Sequence, residues 1–352
     1  MKKTKTSYLL ILCLLVFALT CCGTQAPFVT DPSDPTPGTT AEASAPDTTA
    51  EIPPPDTTAA APARWELRAD DITTVMGLNV LTSERTPIDT VQRNGSTRSE
   101  SFIALMEDCM PDSIGLCEVT AQWLDYIEEE VCTRLPYAVA GLTSNSGKPI
   151  TVSTGEYNAI VYRSDRYEVI AQGGYWLSST PDVPSKYSSA AGDFAEDCVG
   201  MSLVRAFCYV VLGDLSTGEP AYIHMNTHFD HKSGPEADLL CARQLIACAY
   251  SLREEYNCPV IMSGDFNDDE DDAAYLYLAD AANGYVNAKY QTEHYSPLTT
   301  AGGHGTGYKK SFRHVIDHIF ISARSATVVQ HDVMVRPYMS DHSPEYVELI
   351  LP

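Results

Sequence analysis

Residues 259–268 read PVIMSGDFND, and the reading of this stretch decides the fold. Pro259 to Phe266 suits a buried strand: short, apolar and bounded by turn-forming residues. An Asp and an Asn stand two apart at its end. Side chains alternate along a strand, so Asp265 and Asn267 are expected on one side. A core strand that finishes by aiming a carboxylate and an amide at one spot belongs to a sheet with chemistry at its edge.

Outward from this strand the arrangement recurs. Further strands are expected at 72–80, 113–119, 157–163, 167–177, 203–212, 221–227, 315–321, 327–334 and 346–351. Helices are expected at 97–109, 120–133 and 235–256, the last opening with Pro235 in its first turn. Many strands with few intervening helices predict two packed sheets with helices outside. Cys241, Leu245, Cys248 and Leu252 form a helical seam, so these two cysteines read as small core residues.

The strand ends share a chemistry. Asn79 ends VMGLNV, Glu118 ends IGLCEV, and NTHFDH carries Asn226, His228 and Asp230. Asp265 and Asn267 follow, Asp317 opens a strand in HVIDHIF, and MSDHSP sets Asp341 and His342 before the last one. Taken singly, each has a plain structural role as a turn residue, a core histidine or a helix start. Six apolar runs bordered in this way point to one site. Glu118, Asp265 and Asp341 would repel one another if gathered without a cation. Hard oxygen donors point to Mg²⁺, with Mn²⁺ or Ca²⁺ as alternatives, over zinc.

The N-terminal 63 residues read differently. Lys2, Lys3 and Lys5 precede an apolar run from Tyr8 to Thr20, the size of a signal-peptide core and too short to span a bilayer. Leu19-Thr20-Cys21-Cys22 resembles a bacterial lipobox; Cys22 is the expected lipidated residue and Cys21 the alternative, over an ordinary secretory signal. Residues 1–22 are therefore expected to export the chain and anchor it to the cell membrane, on the extracytoplasmic side. Residues 23–63 are rich in Pro, Thr and Ala and carry six acidic residues and no basic one, the composition of a disordered spacer. Residues 64–352 form the expected catalytic domain, with 20 basic and 41 acidic residues and a formal charge of −21. That balance disfavours a long track for nucleic-acid phosphates. A monomer is expected.

The segments LNV, GLCEV, YNAIVYR, NTHFDH, GDFN, IDHIF and SDHSP, in this order and spacing, resemble the endonuclease/exonuclease/phosphatase superfamily over about residues 70–352. That superfamily includes pancreatic-type deoxyribonucleases, abasic-site endonucleases, sphingomyelinases and inositol-phosphate phosphatases. The resemblance implies an α/β fold, a four-layer sandwich of two packed mixed β-sheets flanked by helices. It implies that Glu118 is the main metal ligand, with Asn79 beside it and Asp341 near the same ion or a second one. Asp265 and Asn267 resemble the pair that positions the attacking water and the phosphate oxygens. His342 resembles a catalytic histidine held by Asp317, and His228 the second histidine at the phosphate. Glu156 is expected to orient His228; Tyr157, Asn226 and Asn267 are expected to contact substrate. The base among Asp265, His228 and His342 is left open.

Three departures stand out. Cys117 occupies the usual Gln position before the metal Glu. Val199 aligns with a phosphate-binding Arg, and whether the neighbouring Arg205 substitutes for it is left open. TTAGGHGTGYKK replaces the family's T-F-H-G segment, and its His304, Tyr308, Lys309 and Lys310 are either a different substrate pocket or a solvated loop. The sequence thus predicts a Mg²⁺-dependent hydrolase of a small or head-group phosphoester. An extracellular nuclease is the alternative, and a non-catalytic binding lipoprotein on the same fold the second.

Overall fold

A computed structural model describes residues 71–352 except 85, 148–154, 303–313 and 337. The lipobox, the spacer and the segment with His304, Tyr308, Lys309 and Lys310 lie outside the described residues. No described helix is long and apolar enough to cross a membrane.

Twelve described strands make two six-stranded sheets. The first has the order β11-β12-β1-β2-β4-β3: β11 is Thr327–Val333, β12 Glu345–Ile350, β1 Thr73–Asn79, β2 Ser113–Val119, β4 Tyr157–Arg163 and β3 Tyr137–Ser144. The second has the order β5-β6-β7-β8-β10-β9: β5 is Tyr167–Trp176, β6 Ala206–Asp214, β7 Pro220–His228, β8 Val260–Asp265, β10 Asp317–Ser322 and β9 Tyr285–Asn287. Each sheet is mixed, with a single parallel pair inside it, β1 with β2 and β7 with β8. Helices α1 (Arg98–Cys109), α2 (Ala121–Tyr126, continued by a π-helical turn Ile127–Val131), α3 (Pro235–Tyr256) and α4 (Ala273–Leu278) complete the expected α/β sandwich. Strands β3 and β9 are absent from the sequence expectation. In β3 the run YAVAGLTS is rich in small residues and directly follows a helix, which hides its alternation.

Period-two alternation builds the layers. Along β1, Met76 and Leu78 pack with Phe102, Leu105 and Trp123 on the helical side. Val75 faces the other way, into the inter-sheet core with Val210, Ile261, Ile319 and Val347. Within that layer β7 turns a polar row inward: Tyr222, His224, Asn226 and His228 recur at every second position. The Tyr222 hydroxyl donates to Ser113 Oγ at 2.9 Å, leaving Ser113 to donate to His224 Nδ1 at 2.8 Å. His224 Nε2–H then donates to Ser263 Oγ at 2.9 Å, and Ser263 donates to Asn226 Oδ1 at 3.0 Å. Asn226 Nδ2 ends the chain on the Leu116 carbonyl at 2.8 Å. Burial pushes His224 down to about 3, which matches the neutral ring this chain requires. Gly115 makes room for it: a Cβ there would lie 2.2 Å from Ser263 Oγ.

Candidate active site

The two parallel pairs explain why distant residues meet. Parallel neighbours finish at the same sheet edge, so β1 and β2 present Asn79 and Glu118 together while β7 and β8 present His228 and Asp265. Strand β10 runs antiparallel to β8 and begins there, with Asp317 registered on Asp265; His228 is registered on Asp265 from the other side. His228, Asp265 and Asp317 thus form one row across three strands. All three are buried.

One amide joins the sheets at this edge. Asn79 Nδ2 donates to Glu118 Oε1 and to Asp265 Oδ2, each at 2.9 Å. The backbone N–H of Thr82 holds Glu118 Oε2 at 2.8 Å. The strand ends bend sharply here: Leu81, Glu118 and Asn267 have φ of 60°, 60° and 52°, the left-handed region that side chains other than glycine rarely adopt. At Glu118 the bend coincides with a register shift between β2 and β4.

The bend at Asn267 corrects one premise. Strand β8 stops at Asp265, so alternation does not place Asn267. A tight turn does: Asn267 N–H donates to Asp265 Oδ1 at 3.1 Å, and its Nδ2 donates to the Phe229 carbonyl at 3.0 Å.

Two histidines flank Asp265 and differ in state. His342 Nδ1 donates to Asp317 Oδ2 at 2.7 Å, and its Nε2 lies 3.7 Å from Asp265 Oδ2. Burial pulls the His342 imidazole down, but Asp317 and then Asp265 outweigh it and hold the ring in its charged form, up to about 10. His228 Nε2 lies 3.5 Å from the same Asp265 oxygen. Arg205 Nη1 sits 3.2 Å from His228 Nδ1, and since a guanidinium only donates, the His228 proton is on Nε2, facing Asp265. Burial and then Arg205 push His228 well below the usual histidine range, so this ring is neutral. Burial raises the Asp265 carboxyl, His342 opposes it, and Asp317 and Glu118 raise it further.

Arg205 settles two sequence expectations. Its guanidinium, 3.3 Å from Glu156 Oε2, stands between Glu156 and His228, so Glu156 reaches the histidine through the arginine and does not touch it. Val199 is 59% exposed in a loop outside the site, and Arg205 takes the arginine position at the edge. Asn226 departs from expectation as well. It lies one repeat deeper than His228, with no exposed surface and its amide engaged between the sheets, so it does not face substrate. Tyr157 opens onto a groove of about 620 Å³ with Leu142, Gln172 and Trp176. Cys117 turns away from the site and donates to the Thr227 carbonyl at 3.0 Å.

Asp341 is buried beside His342. The Ser340 hydroxyl donates to the Asn79 carbonyl at 2.6 Å, tying this segment to β1. Two residues with no signal in the sequence hold the frame. Thr300 Oγ1 accepts the Asp317 N–H at 3.0 Å while its carbonyl accepts from Ser343 at 2.7 Å. Arg98, fully buried at the start of α1, donates to the carbonyls of Val80, Leu81, Thr86 and Met339 and lies 5.2 Å over the Trp123 ring. An arginine in a helix's first turn usually lies in solvent, so composition gave no cue to either residue.

Among the described residues, Asp265, Asp317 and His342 bring ligand-type atoms within 4.8 Å of one another. The 2.7 Å hydrogen bond between His342 and Asp317 occupies two of them, which suits a proton-handling pair better than a ligand set. The fit to a cation is better at Glu118 and Asp265, which crowd one amide. Asp317 Oδ1 is buried without a partner behind them. Such a set of hard oxygens accepts a divalent ion.

A model of the Endonuclease/Exonuclease/phosphatase family matches residues 78–342. The chain belongs to this family. Members of the endonuclease/exonuclease/phosphatase family are hydrolases of phosphoester bonds and generally use divalent metals. Several solved structures share the fold. One is a family protein from Bacteroides thetaiotaomicron, 24% identical with a TM-score of 0.64, covering 80% of this chain and 95% of that one. Another is a mannosyl-6-phosphatase of B. thetaiotaomicron VPI-5482, 24% identical with a TM-score of 0.64, covering 79% and 100%. The human Nocturnin catalytic domain with bound sulfate is 17% identical with a TM-score of 0.59, covering 81% and 96%. At these identities the likeness establishes the fold alone. No curated protein sequence matches the chain significantly.

Proposed function

We propose that the chain is a Mg²⁺-dependent hydrolase of small or head-group phosphoesters, with Mn²⁺ or Ca²⁺ as substitutes. The observation that carries this reading is the pair of unlike histidines on one buried carboxylate: charged His342 on Asp317, neutral His228 on Arg205, both facing Asp265. Glu118, with Asp265 beside it, would hold the metal, and Asp341 lies nearby; Asn79, expected as a ligand, instead donates to both carboxylates while its Oδ1 accepts the Leu81 N–H. When bound, a divalent ion there neutralises phosphate charge and polarises the P–O bond. Asp265, raised by burial, is poised to take the proton of the attacking water, and the Asn267 N–H fixes its orientation. His228 Nε2–H and the His342 imidazolium are donors for phosphate oxygens, and His342 can protonate the leaving oxygen. Asp317 holds the His342 ring in register.

The neighbour that is a mannosyl-6-phosphatase supports a compact substrate. So does the charge of −21 over residues 64–352, which opposes a polyanionic track. Hydrolysis of sugar phosphates, inositol phosphates, sphingomyelin, DNA and RNA by the purified domain tests the reading. Higher kcat/KM on a small phosphoester, with little salt dependence, is expected. Salt-sensitive cleavage of duplex DNA alone would make the chain a nuclease. Full inactivity on every phosphoester would leave a binding lipoprotein.

We further infer export and lipid anchoring at Cys22, with residues 23–63 as spacer to a monomeric domain at 64–352. The composition of the N-terminal residues supports this. Replacing Cys21 and Cys22 together with Ala should remove the chain from the membrane fraction; unchanged association would refute the anchor.

A further inference from the structure

A pocket of about 280 Å³ opens beside Asn267, between the start of α3 and the loop that joins β8 to α4. Asp230, Asp238, Asp268 and Asp272 line it, and no lysine or arginine does. Their partners differ. Both Asp230 oxygens are committed to backbone N–H groups, Oδ2 to Ser202 and Leu203 and Oδ1 to Lys232. Asp238 Oδ1 accepts the Ser233 hydroxyl, and Asp272 Oδ2 accepts the Asp269 N–H. Asp268 is only 8% exposed, and its Oδ2 has no hydrogen-bond partner. A buried carboxylate oxygen without solvent or partner is unfavourable unless a cation or proton meets it.

We propose that this pocket is a second cation site, separate from the Glu118–Asp265 edge, that takes a hard divalent ion of Ca²⁺ type through Asp268, Asp238 and Asp272. Burial, with Asp238 as the next cause, raises the Asp268 carboxyl to about 8 when no ion is present. Carboxylates on a short loop and a helix start suit the larger, geometrically tolerant Ca²⁺ better than Mg²⁺, which demands a near-ideal octahedron. Three ligand atoms of these residues do not lie within 4.8 Å of one another. The carboxylates therefore close on the ion, which places its dissociation constant in the weak range of about 10⁻⁴–10⁻³ M. Binding ties the first turn of α3 to the loop carrying Asn267, and through the Asn267 N–H to Asp265. The site does not depend on the hydrolase reading.

Calorimetric titration with Ca²⁺, paired with thermal unfolding at rising Ca²⁺, tests it on the wild type, Asp268→Asn, Asp238→Asn and Glu118→Gln. Glu118→Gln should keep one Ca²⁺ event and the Ca²⁺-dependent rise in Tm. Asp268→Asn and Asp238→Asn should each weaken that event at least tenfold, and isosteric Asp268→Asn should unfold at a higher temperature than the wild type without Ca²⁺. Wild-type stoichiometry and affinity in both aspartate variants would overturn the proposal, as would loss of all Ca²⁺ binding in Glu118→Gln. If Asp268→Asn does not fold, Asp238→Asn decides by the same criterion.

Discussion

Arg98→Met is the most informative single change to the frame around the site. The methionine keeps an apolar stem against Trp123 and removes the guanidinium. Three carbonyls then lose their donor, Val80 just after β1, Thr86, and Met339 just before Ser340, Asp341 and His342, and the Leu81 carbonyl keeps only the Trp123 indole N–H. A hydrogen bond to a charged group contributes about 1.5–3 kcal/mol, and a buried acceptor left alone costs about 1–3 kcal/mol. The four are coupled and partly relax, so the loss is less than their sum, on the order of 4–6 kcal/mol. That is a large part of a domain stability of about 5–15 kcal/mol. At roughly 2–4 °C per kcal/mol for a domain of this size, Tm should fall by about 10–20 °C. Below the new Tm, kcat should drop at least about tenfold, because the segment bearing His342 loses its tie through Arg98 and keeps only the Ser340 hydroxyl on the Asn79 carbonyl. Arg98→Lys should fall between, since an ammonium cannot span carbonyls from three segments. Thermal unfolding, chemical denaturation and turnover on a chromogenic phosphoester measure these effects. A Tm within about 3 °C of wild type, with unchanged turnover, would refute the reasoning.

Other outcomes are equally direct. His342→Ala and His228→Ala should each lower turnover by about two or more orders of magnitude, and Asp317→Asn should produce a milder form of the His342 defect; near-full activity in His342→Ala would remove this edge from the chemistry. Excess EDTA should abolish hydrolysis and Mg²⁺ or Mn²⁺ restore it, while Glu118→Ala should weaken metal binding and remain folded; activity in EDTA counts against the metal. Asp238 and Asp268 have folded-state pKa values raised to about 7 and about 8, above the ordinary carboxyl value, so their contribution is complete below about pH 4 and is lost as pH rises through those values. Metal-free protein should therefore lose Tm between pH 5 and 8, by about the amount that Asp268→Asn recovers, as unfolding across that range would show.

Much of this was legible in the residues. Alternation placed most strands of both sheets, and the polar residues bordering apolar runs named the edge where Asn79, Glu118, His228, Asp265, Asp317 and His342 meet. Alternation failed where the chain leaves the strand. Asn267 reaches its place by a left-handed turn, and a turn's geometry is not periodic. It failed for Asn226 too, because a polar residue two before His228 looks the same in sequence at the mouth as in a buried column. Whether Arg205 replaces Val199 is not legible from their distance along the chain, which says nothing of the loop that carries Val199 into solvent. The partners of Arg98 and Thr300 are far apart in the chain, and no local pattern encodes them.

The left-handed bends at Leu81, Glu118 and Asn267 set the terms on which this protein can be improved in the laboratory. At Leu81 and Glu118 each costs on the order of 1–2 kcal/mol against an extended residue, and less at Asn267, since asparagine tolerates this region; glycine would relieve the backbone cost. Selection for heat resistance alone therefore favours glycine where little apolar surface is buried, at Glu118 and Asn267, and not at Leu81. At Leu81, only 8% exposed, glycine would keep the carbonyl contacts to Arg98 and Trp123 but give up buried apolar surface that outweighs the relief. At Glu118 and Asn267 the same gain deletes a carboxylate and an amide from the edge where the sheets meet. Libraries screened for melting temperature without a turnover assay would drift toward sturdier, inert molecules, and would do so first at positions 118 and 267.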